Sequence, residues 1–333
     1  MPQYTRREFT KLALMALPAA GFMSASNSLR GAEMPAMPPM KPNSLINGVQ
    51  LGLNVPYSFG NNLMSGDETL KNLLQLGFSA VELRSQPVEG FMGAPAPAGR
   101  GGRGRGKAEG EKKSAAGAGP EALRDFRLAA SMDRAKEFRK KYEDAGVLIQ
   151  IVKFDNIYQM VDAELDYAFN LARTLGARAI SCEISTKDDD LKRLGRFADK
   201  HELPVGYHGH THVAPADWEH AFSFAKHNFA NLDIGHFIAG NHYSPVEFLK
   251  KHHDRITHVH IKDRKMHGPN GEAEGPNVVF GQGDTPIAEV LRLMRDNKWT
   301  MQATIEFEYR VPEGSTRMAE IERALSYCCG ALA

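Results

Sequence analysis

The sequence is poor in cysteine and in net charge. The chain of 333 residues contains only three cysteines, Cys182, Cys328 and Cys329, and two of them are adjacent. So few thiols cannot form a disulfide framework, and the fold must therefore be stabilised by a hydrophobic core. The formal net charge is +1, which provides no global basic field for a nucleic acid. No predicted strand ends in a glycine-rich nucleotide-binding turn, and no arginine cluster offers a phosphate site.

The sequence also lacks a long apolar run. Near the N-terminus apolar residues extend only from Leu12 to Met23, whereas a membrane-spanning helix needs about 20 of them. This run follows TRREFTK (residues 5–11), a twin-arginine pattern, and precedes small residues at 24–26. We therefore predict a twin-arginine export signal at residues 1–30 and a Met/Pro-rich linker at 31–45. The protein is expected to be periplasmic or otherwise exported, without a stable membrane anchor; an ordinary N-terminal helix is the alternative.

Short β-prone stretches alternate with amphipathic helical stretches along the rest of the chain. The eight predicted strands are Val49–Val55, Ala80–Leu83, Val147–Val152, Ala177–Cys182, Pro204–His208, Ala230–Asp233, Ile256–Ile261 and Met301–Phe307. Predicted helices include Ser131–Ala145, Leu165–Leu175, Asp190–Lys200, Pro245–His252 and Pro286–Asn297, the last with Thr285 as its cap. This alternation predicts an α/β fold, a (β/α)8 TIM barrel over residues 46–333. A doubly wound open sheet is the alternative.

One segment departs from this alternation. The stretch from Gly90 to Pro120 consists almost entirely of Gly, Ala, Pro, Arg, Lys and Glu. Such a composition cannot bury enough apolar surface to become ordered, so we predict a disordered insertion at about residues 90–120. An RGG-type nucleic-acid binder is the alternative, but Phe91 is the only aromatic residue available for stacking. Because the insertion follows the second strand, we expect it on the catalytic face of the barrel.

Polar side chains follow the predicted strands at the ends where TIM-barrel enzymes assemble their active sites. The fourth to eighth strands end in Cys182-Glu183, His208-Gly209-His210, Asp233 with His236 close behind, His258-Val259-His260-Ile261-Lys262, and Glu306-Phe307-Glu308. Histidine, aspartate and glutamate from neighbouring strands form a mixed nitrogen and oxygen site, which suits Mn, Zn, Co or Mg. A closed structural zinc site, by contrast, would be expected to contain cysteine.

Four motifs in order, NLDIGHF, ITHVHIKD, GQGDTP and TIEFEY, resemble the xylose-isomerase-like TIM barrel superfamily. That group contains sugar isomerases and epimerases, inosose dehydratases, endonuclease IV and lyases of 3-keto-glycosides. The resemblance covers nearly the whole chain after the predicted signal. It implies one divalent ion held by a glutamate, an aspartate, a histidine and a final glutamate. At the matching positions of this sequence, the aspartate, the histidine and the final glutamate are Asp233, His260 and Glu306.

The first of these ligands is where the sequence departs from the family. Many relatives have Glu-Asn-His at the end of the fifth strand, where this chain has His208-Gly209-His210. His208 therefore stands at the glutamate position, and Glu183 on the adjacent strand could supply the missing carboxylate. The predicted metal ligands are Glu183, His208, Asp233, His260 and Glu306, with the choice between Glu183 and His208 left open.

Three further residues are predicted to be catalytic: His210, His236 and Lys262. Lys262 could donate to a substrate oxygen; a buried ion pair with Glu308 or Asp263 is the alternative. His236 and His258 could instead orient metal ligands through their second ring nitrogen.

The predicted function is that of a divalent-metal-dependent sugar isomerase or epimerase, which removes a proton next to a metal-chelated carbonyl. Export favours a non-phosphorylated sugar, keto-sugar or keto-glycoside as the partner, and no nucleic acid is expected. The alternatives are an exported 3-keto-glycoside lyase or dehydratase with the same metal site, and a catalytically inactive sugar-binding barrel. The oligomeric state is left open, with a homo-oligomer among the options.

Overall fold

A computed structural model describes residues 41–96 and 119–333, which form a closed barrel of eight parallel strands. The strands are β2 (Val49–Val55), β3 (Ala80–Arg84), β4 (Leu148–Lys153), β5 (Ala179–Glu183), β6 (Val205–His208), β7 (Asn228–Asp233), β8 (Ile256–Ile261) and β9 (Gln302–Ile305). Each strand pairs with the next in the chain, and β9 pairs with β2 to close the ring. A short strand β1 (Leu45–Ile46) pairs antiparallel with β2. The predicted TIM barrel is confirmed.

Helices follow the strands and cover the outside of the ring. They are α1 (Gly66–Leu76), α2 (Ser85–Met92), α3 (Pro120–Ala129), α4 (Asp133–Asp144), α5 (Asp162–Thr174), α6 (Asp188–His201), α7 (Pro215–Phe224), α8 (Ile234–Asn241), α9 (Val246–His252), α10 (Ile287–Asp296) and α11 (Arg317–Leu332). Short 3-10 helices span Tyr57–Phe59, Ile157–Gln159 and His253–Arg255. Within the described ranges, no helix is both long enough and apolar enough to cross a membrane.

The strands are buried on both faces, because helices cover one face and the opposite strands of the ring cover the other. In β2, Leu53, Val55 and the polar Asn54 between them are all fully buried. Side chains alternate across a strand, so Asn54 faces away from both apolar neighbours. Asn54 donates a hydrogen bond to Glu306, at the end of β9, over 2.7 Å. Asn54 and Glu306 therefore mark the interior of the barrel at its C-terminal end.

Two predictions from the sequence fall largely outside the described residues. These are the export signal at residues 1–30 and the centre of the insertion, residues 97–118. The flanks of the insertion are helical, since α2 extends to Met92 and α3 begins at Pro120. Arg127 of α3 contacts Glu89 at 2.8 Å and Glu164 at 3.2 Å, so α3 is attached to the barrel by buried ion pairs.

The prediction that Thr285 caps the following helix is wrong. The N-cap of α10 is Pro286, and it makes no side-chain capping bond. The Thr285 hydroxyl instead accepts a hydrogen bond from the backbone N–H of Arg264 over 3.0 Å. It therefore fixes the loop after β8 rather than the helix.

Candidate active site

Four buried side chains meet at the C-terminal ends of β6 to β9. Asp233 Oδ2 lies 3.4 Å from His208 Nε2 and 3.7 Å from His260 Nδ1. Glu306 Oε2 lies 3.2 Å from the same Nδ1 of His260. All four residues have exposed fractions of 3% or less. Two carboxylates and two imidazoles therefore converge on one water-poor point, which we call the strand-end site.

Asp233 is oriented by the helix that begins after it. It is the N-cap of α8, and its Oδ1 accepts a hydrogen bond from the His236 N–H over 2.7 Å. An aspartate at this position satisfies one of the unpaired N–H groups of the first helical turn. Because Oδ1 is used in the cap, Oδ2 is the oxygen that faces the strand-end site.

Lys262 places its ammonium group between the carboxylates of this site. Its Nζ lies 2.6 Å from Glu306 Oε2, 3.0 Å from Asp233 Oδ2 and 2.5 Å from Glu308 Oε2. Burial by itself would lower the pKa of Lys262, but these carboxylates outweigh burial and raise it above its ordinary value. Position 235 must be glycine for this arrangement, since a Cβ there would lie 2.3 Å from Lys262 Cγ.

His236 lies beside Lys262 and is held by an arginine from the loop after β8. Arg264 is buried; it donates to the carbonyl of Gly275 through Nε and a terminal nitrogen, and to His236 Nδ1 over 2.7 Å. Burial lowers the pKa of His236 to about 2, so the ring is neutral near pH 7. His236 Nε2 lies 3.0 Å from Lys262 Nζ and 3.9 Å from Asp233 Oδ2, so an ammonium donor faces this nitrogen as well. A neutral ring that accepts a hydrogen bond at Nδ1 can carry its proton on Nε2 only when Lys262 turns away.

A second group of side chains lies behind the strand-end site, within the barrel. We call Glu82, His258 and His260 the deep cluster; all three are fully buried. Glu82 Oε2 lies 2.5 Å from His260 Nε2 and 3.2 Å from His258 Nε2. His260 thus belongs both to the deep cluster, through Nε2, and to the strand-end site, through Nδ1.

A third group lies toward solvent. We call Glu183, His208 and His210 the rim cluster. Glu183 Oε2 lies 3.0 Å from both His208 Nδ1 and His210 Nε2, and its Oε1 lies 2.7 Å from Lys153 Nζ. Both oxygens of Glu183 are therefore engaged, and it approaches the strand-end site through the second nitrogen of His208.

The structure thus brings together most of the residues that the sequence singled out. His208, Asp233, His260 and Glu306 lie in the strand-end site, His236 and Lys262 contact it, and Glu183 with His210 lies beside it. Lys262 does form the ion pair with Glu308 that was given as its alternative role. Sequence reasoning missed Glu82, Lys153 and Arg264. Glu82 had a usable signal, since it is a charged residue within the otherwise apolar start of the strand AVELR.

Comparisons with known proteins agree with this architecture. The sequence model of the family described as "Xylose isomerase-like TIM barrel" matches residues 189–328, which contain all four residues of the strand-end site. The zinc-containing structure of the IOLI protein superposes with a TM-score of 0.55 at 15% identity, over 85% of this chain and 98% of that one. The chain has the xylose isomerase-like TIM barrel fold.

Two further similarities come from this fold group. Inosose dehydratase from Clostridium botulinum is 28% identical over 134 residues, which is 35% of this chain and 45% of that protein. The match thus spans less than half of the length of this curated relative. The structure of 3-keto-D-glucoside 4-epimerase from E. coli superposes with a TM-score of 0.53 at 12% identity, over 85% of this chain and 99% of that one.

The donor set of the strand-end site fits a divalent cation. His208, Asp233 and Glu306 of this site, together with the adjacent His236, each present one ligand atom, and these atoms all lie within 4.8 Å of one another. His260 faces the same carboxylates through Nδ1, 3.2 Å from Glu306 and 3.7 Å from Asp233. Carboxylate oxygen with imidazole nitrogen is a combination that Mn²⁺, Zn²⁺ and related ions accept. The ammonium of Lys262 already places a positive charge between Asp233 and Glu306. These carboxylates would hold a divalent ion as well, and Glu308 would remain available to hold Lys262.

Proposed function

We propose that this protein is a divalent-metal-dependent sugar isomerase or epimerase that acts on a non-phosphorylated sugar or keto-sugar. One ion of Mn, Zn, Co or Mg would be held by Asp233, Glu306, His260 and His208, with Glu183 as the alternative to His208. The observation that carries the proposal is that Asp233, Glu306, His260 and His208 are buried and lie within 3.2 to 3.7 Å of one another in successive contacts at the strand ends of a xylose isomerase-like TIM barrel. A binding-only barrel has no need to bury so many charges at one point.

The ion would supply Lewis acidity, which polarises a substrate carbonyl and makes the hydrogen on the neighbouring carbon removable. The side chains around it would move the protons. His210 is half exposed at the mouth of the site, and the hydrogen bond to Glu183 raises its pKa above the ordinary value. An imidazole that solvent still reaches is suited to take a proton from carbon and to return it.

Lys262 and His236 would act on substrate oxygens. Held by Glu308, Lys262 presents an ammonium donor to a hydroxyl or carbonyl oxygen. When Lys262 turns to the substrate, His236, which is kept neutral by burial and accepts from Arg264 at Nδ1, would present Nε2–H as a second, uncharged donor. Two fixed donors beside a developing oxyanion stabilise the enolate-like charge of the transition state.

Elimination is the second candidate reaction, and the similarity to inosose dehydratase favours it. The first proton transfer is the same in both reactions. In elimination, the electrons left on carbon expel a β-oxygen, and Lys262 or His236 would protonate the departing hydroxide or alkoxide. An exported 3-keto-glycoside lyase or dehydratase would use this route.

Incubation of the metal-loaded protein with free sugars, keto-sugars and 3-keto-glycosides in D2O, followed by NMR, tests the proposal. Isomerisation or epimerisation places deuterium next to the carbonyl in a product of the same composition, whereas elimination yields water or an alcohol and an unsaturated ketone. Asp233→Asn keeps the helix cap but removes a charged ligand, and we expect it to lose both metal and turnover. Glu164→Gln changes a buried carboxylate that is bonded to Arg124, Arg127 and the Val161 N–H and not to the site residues, and it should retain both. The absence of any exchange with Mn, Zn, Co or Mg would refute an enzymatic role.

We also propose that the protein is exported by the twin-arginine route. The support is the TRREFTK pattern followed by the short apolar run. Replacement of Arg6 and Arg7 by lysine should retain the precursor in the cytoplasm, as measured by fractionation. Unchanged delivery to the periplasm would contradict this assignment.

A further inference from the structure

The ring of His260 is held at both ends. Its Nδ1 faces the strand-end site, 3.2 Å from Glu306 Oε2, and its Nε2 faces the deep cluster, 2.5 Å from Glu82 Oε2. The ring is fully buried, so neither nitrogen has water as a partner. These two neighbours therefore decide which ring nitrogen carries the proton when His260 is neutral.

We propose that Glu82 is a positioning residue that fixes His260 for metal binding through Nδ1. The inference rests on the proposed function and names a residue behind the predicted ligands. With the proton on Nε2, His260 donates to the Glu82 carboxylate and presents the lone pair of Nδ1 to the strand-end site. With the proton on Nδ1, the lone pair of Nε2 would face the Glu82 carboxylate at 2.5 Å, which is repulsive. The corresponding repulsion between Nδ1 and Glu306 acts over the longer distance of 3.2 Å and would be offset by a cation in the strand-end site. Ligating histidines commonly donate their second N–H to a carboxylate in this manner.

Asn231 supports the same proton position. Its Nδ2 lies 3.2 Å from His260 Nε2, while its buried Oδ1 has no hydrogen-bond partner among the described residues. Oxygen and nitrogen of an asparagine amide are assigned from the surrounding network rather than from shape. Turning the Asn231 amide by half a rotation presents Oδ1 to the Nε2–H of His260 and to the hydroxyl of Ser181, which now accepts from Nδ2 over 3.2 Å and can donate instead. Nδ2 then takes the position at which Oδ1 has no partner.

His258 holds the carboxylate in place. Its Nε2 lies 3.2 Å from the same Glu82 Oε2, and its Nδ1 lies 2.8 Å from the Thr257 hydroxyl. Glu82 comes from β3, whereas both histidines come from β8, on the far side of β9 and β2 in the ring. The carboxylate therefore crosses the interior of the barrel, and its contacts there are these two imidazoles.

Metal titration of the full chain tests the proposal. Kd for Mn²⁺ and Zn²⁺ is measured by calorimetry or chelator competition in the wild type, Glu82→Gln, Asp233→Asn and the control Glu164→Gln. The glutamine keeps the shape and one acceptor but removes the charge that fixes the proton on Nε2. We expect Glu82→Gln to weaken metal binding about 10- to 100-fold, Glu164→Gln to leave it unchanged, and Asp233→Asn to abolish it. Glu82→Asp, which keeps the charge at a shorter reach, should bind more tightly than Glu82→Gln.

Each result separates the positioning role from the proposed function. Wild-type affinity in Glu82→Gln, together with loss of metal in Asp233→Asn, would overturn the role of Glu82 and leave the metal site standing. No binding of either ion by the wild type would overturn both. If Glu82→Gln fails to fold, ¹⁵N NMR of the wild-type imidazoles decides the matter. Zinc-loaded His260 should have a protonated Nε2 and a metal-bound Nδ1, and the reverse would refute the proposal.

Discussion

The deep cluster and the rim cluster have the same composition and opposite surroundings. Each contains one glutamate and two histidines that are two positions apart. The pair lies within β8 in the deep cluster, and at and after the end of β6 in the rim cluster. In the deep cluster, Glu82 and both histidines are fully buried. In the rim cluster, the side chains of Glu183 and His210 are 48% and 47% exposed. Any difference in behaviour therefore comes from burial and neighbours rather than from residue type.

The pKa values of His258 in the deep cluster and of His210 in the rim cluster differ accordingly. Burial lowers the pKa of His258 to about 4, and the attraction of Glu82 only partly offsets it. The hydrogen bond to Glu183 raises the pKa of His210, because water still reaches the ring and the cost of burial is smaller. The deep cluster is thus suited to hold a fixed proton arrangement, and the rim cluster to exchange protons with a substrate.

The largest expected contrast is in stability. His258→Ala opens a cavity in the barrel and removes a partner from buried Glu82, so we expect a loss of about 3 kcal/mol or more in the free energy of unfolding. His210→Ala removes a half-exposed contact, which is expected to cost about 1 kcal/mol or less. Urea unfolding of the metal-free proteins measures both. Equal losses in the two variants would show that burial does not separate the clusters.

A second contrast is in the direction of pH dependence. The folded-state pKa of His258 lies below the ordinary value, so its contribution to stability is present above about pH 6.5 and decreases as the pH falls toward 4. The pKa of His210 is raised, so its contribution is present below about pH 6.5 and is lost as the pH rises through its folded value.

Urea unfolding at several pH values checks these signs. The destabilisation caused by His258→Ala should shrink, by on the order of 2 kcal/mol, between about pH 8 and about pH 5. The destabilisation caused by His210→Ala should instead be larger at the lower pH. Parallel pH profiles for the two variants would contradict the assignment of opposite shifts.

The fold was predictable from the sequence because apolar, β-prone runs bounded by turn residues mark every strand of the barrel. The predicted Val49–Val55 and Ile256–Ile261 coincide with β2 and β8, and the other six predicted strands agree with the structure to within two residues at each end. The predicted strand ends in turn indicated Asp233, His260 and Glu306 as site residues, because the barrel brings those ends together.

The deep cluster was not predictable in the same way. Glu82 is separated from His260 by 178 positions, and its side chain points into the barrel from the middle of a strand. Only the closed ring, with β3 and β8 on either side of β9 and β2, brings them into contact. The contact between Arg264 and His236 depends likewise on the path of a loop, for which the sequence has no periodic pattern.

The smallest expected contrast is in the response to salt. The contact between Glu183 and His210 is reached by solvent, so ions can screen it, whereas Glu82 and His258 lie in the interior without access to ions. The screening length falls from about 10 Å at 0.1 M salt to about 3 Å at 1 M. At acidic pH, where His210 is charged, the stability lost in His210→Ala should therefore shrink by a few tenths of a kcal/mol at high salt. The loss in His258→Ala should stay constant, because it arises from packing and from a buried contact with Glu82. Urea unfolding midpoints measured at several NaCl concentrations give the salt response of both variants. If His258→Ala responds to salt as strongly as His210→Ala, water and ions reach Glu82.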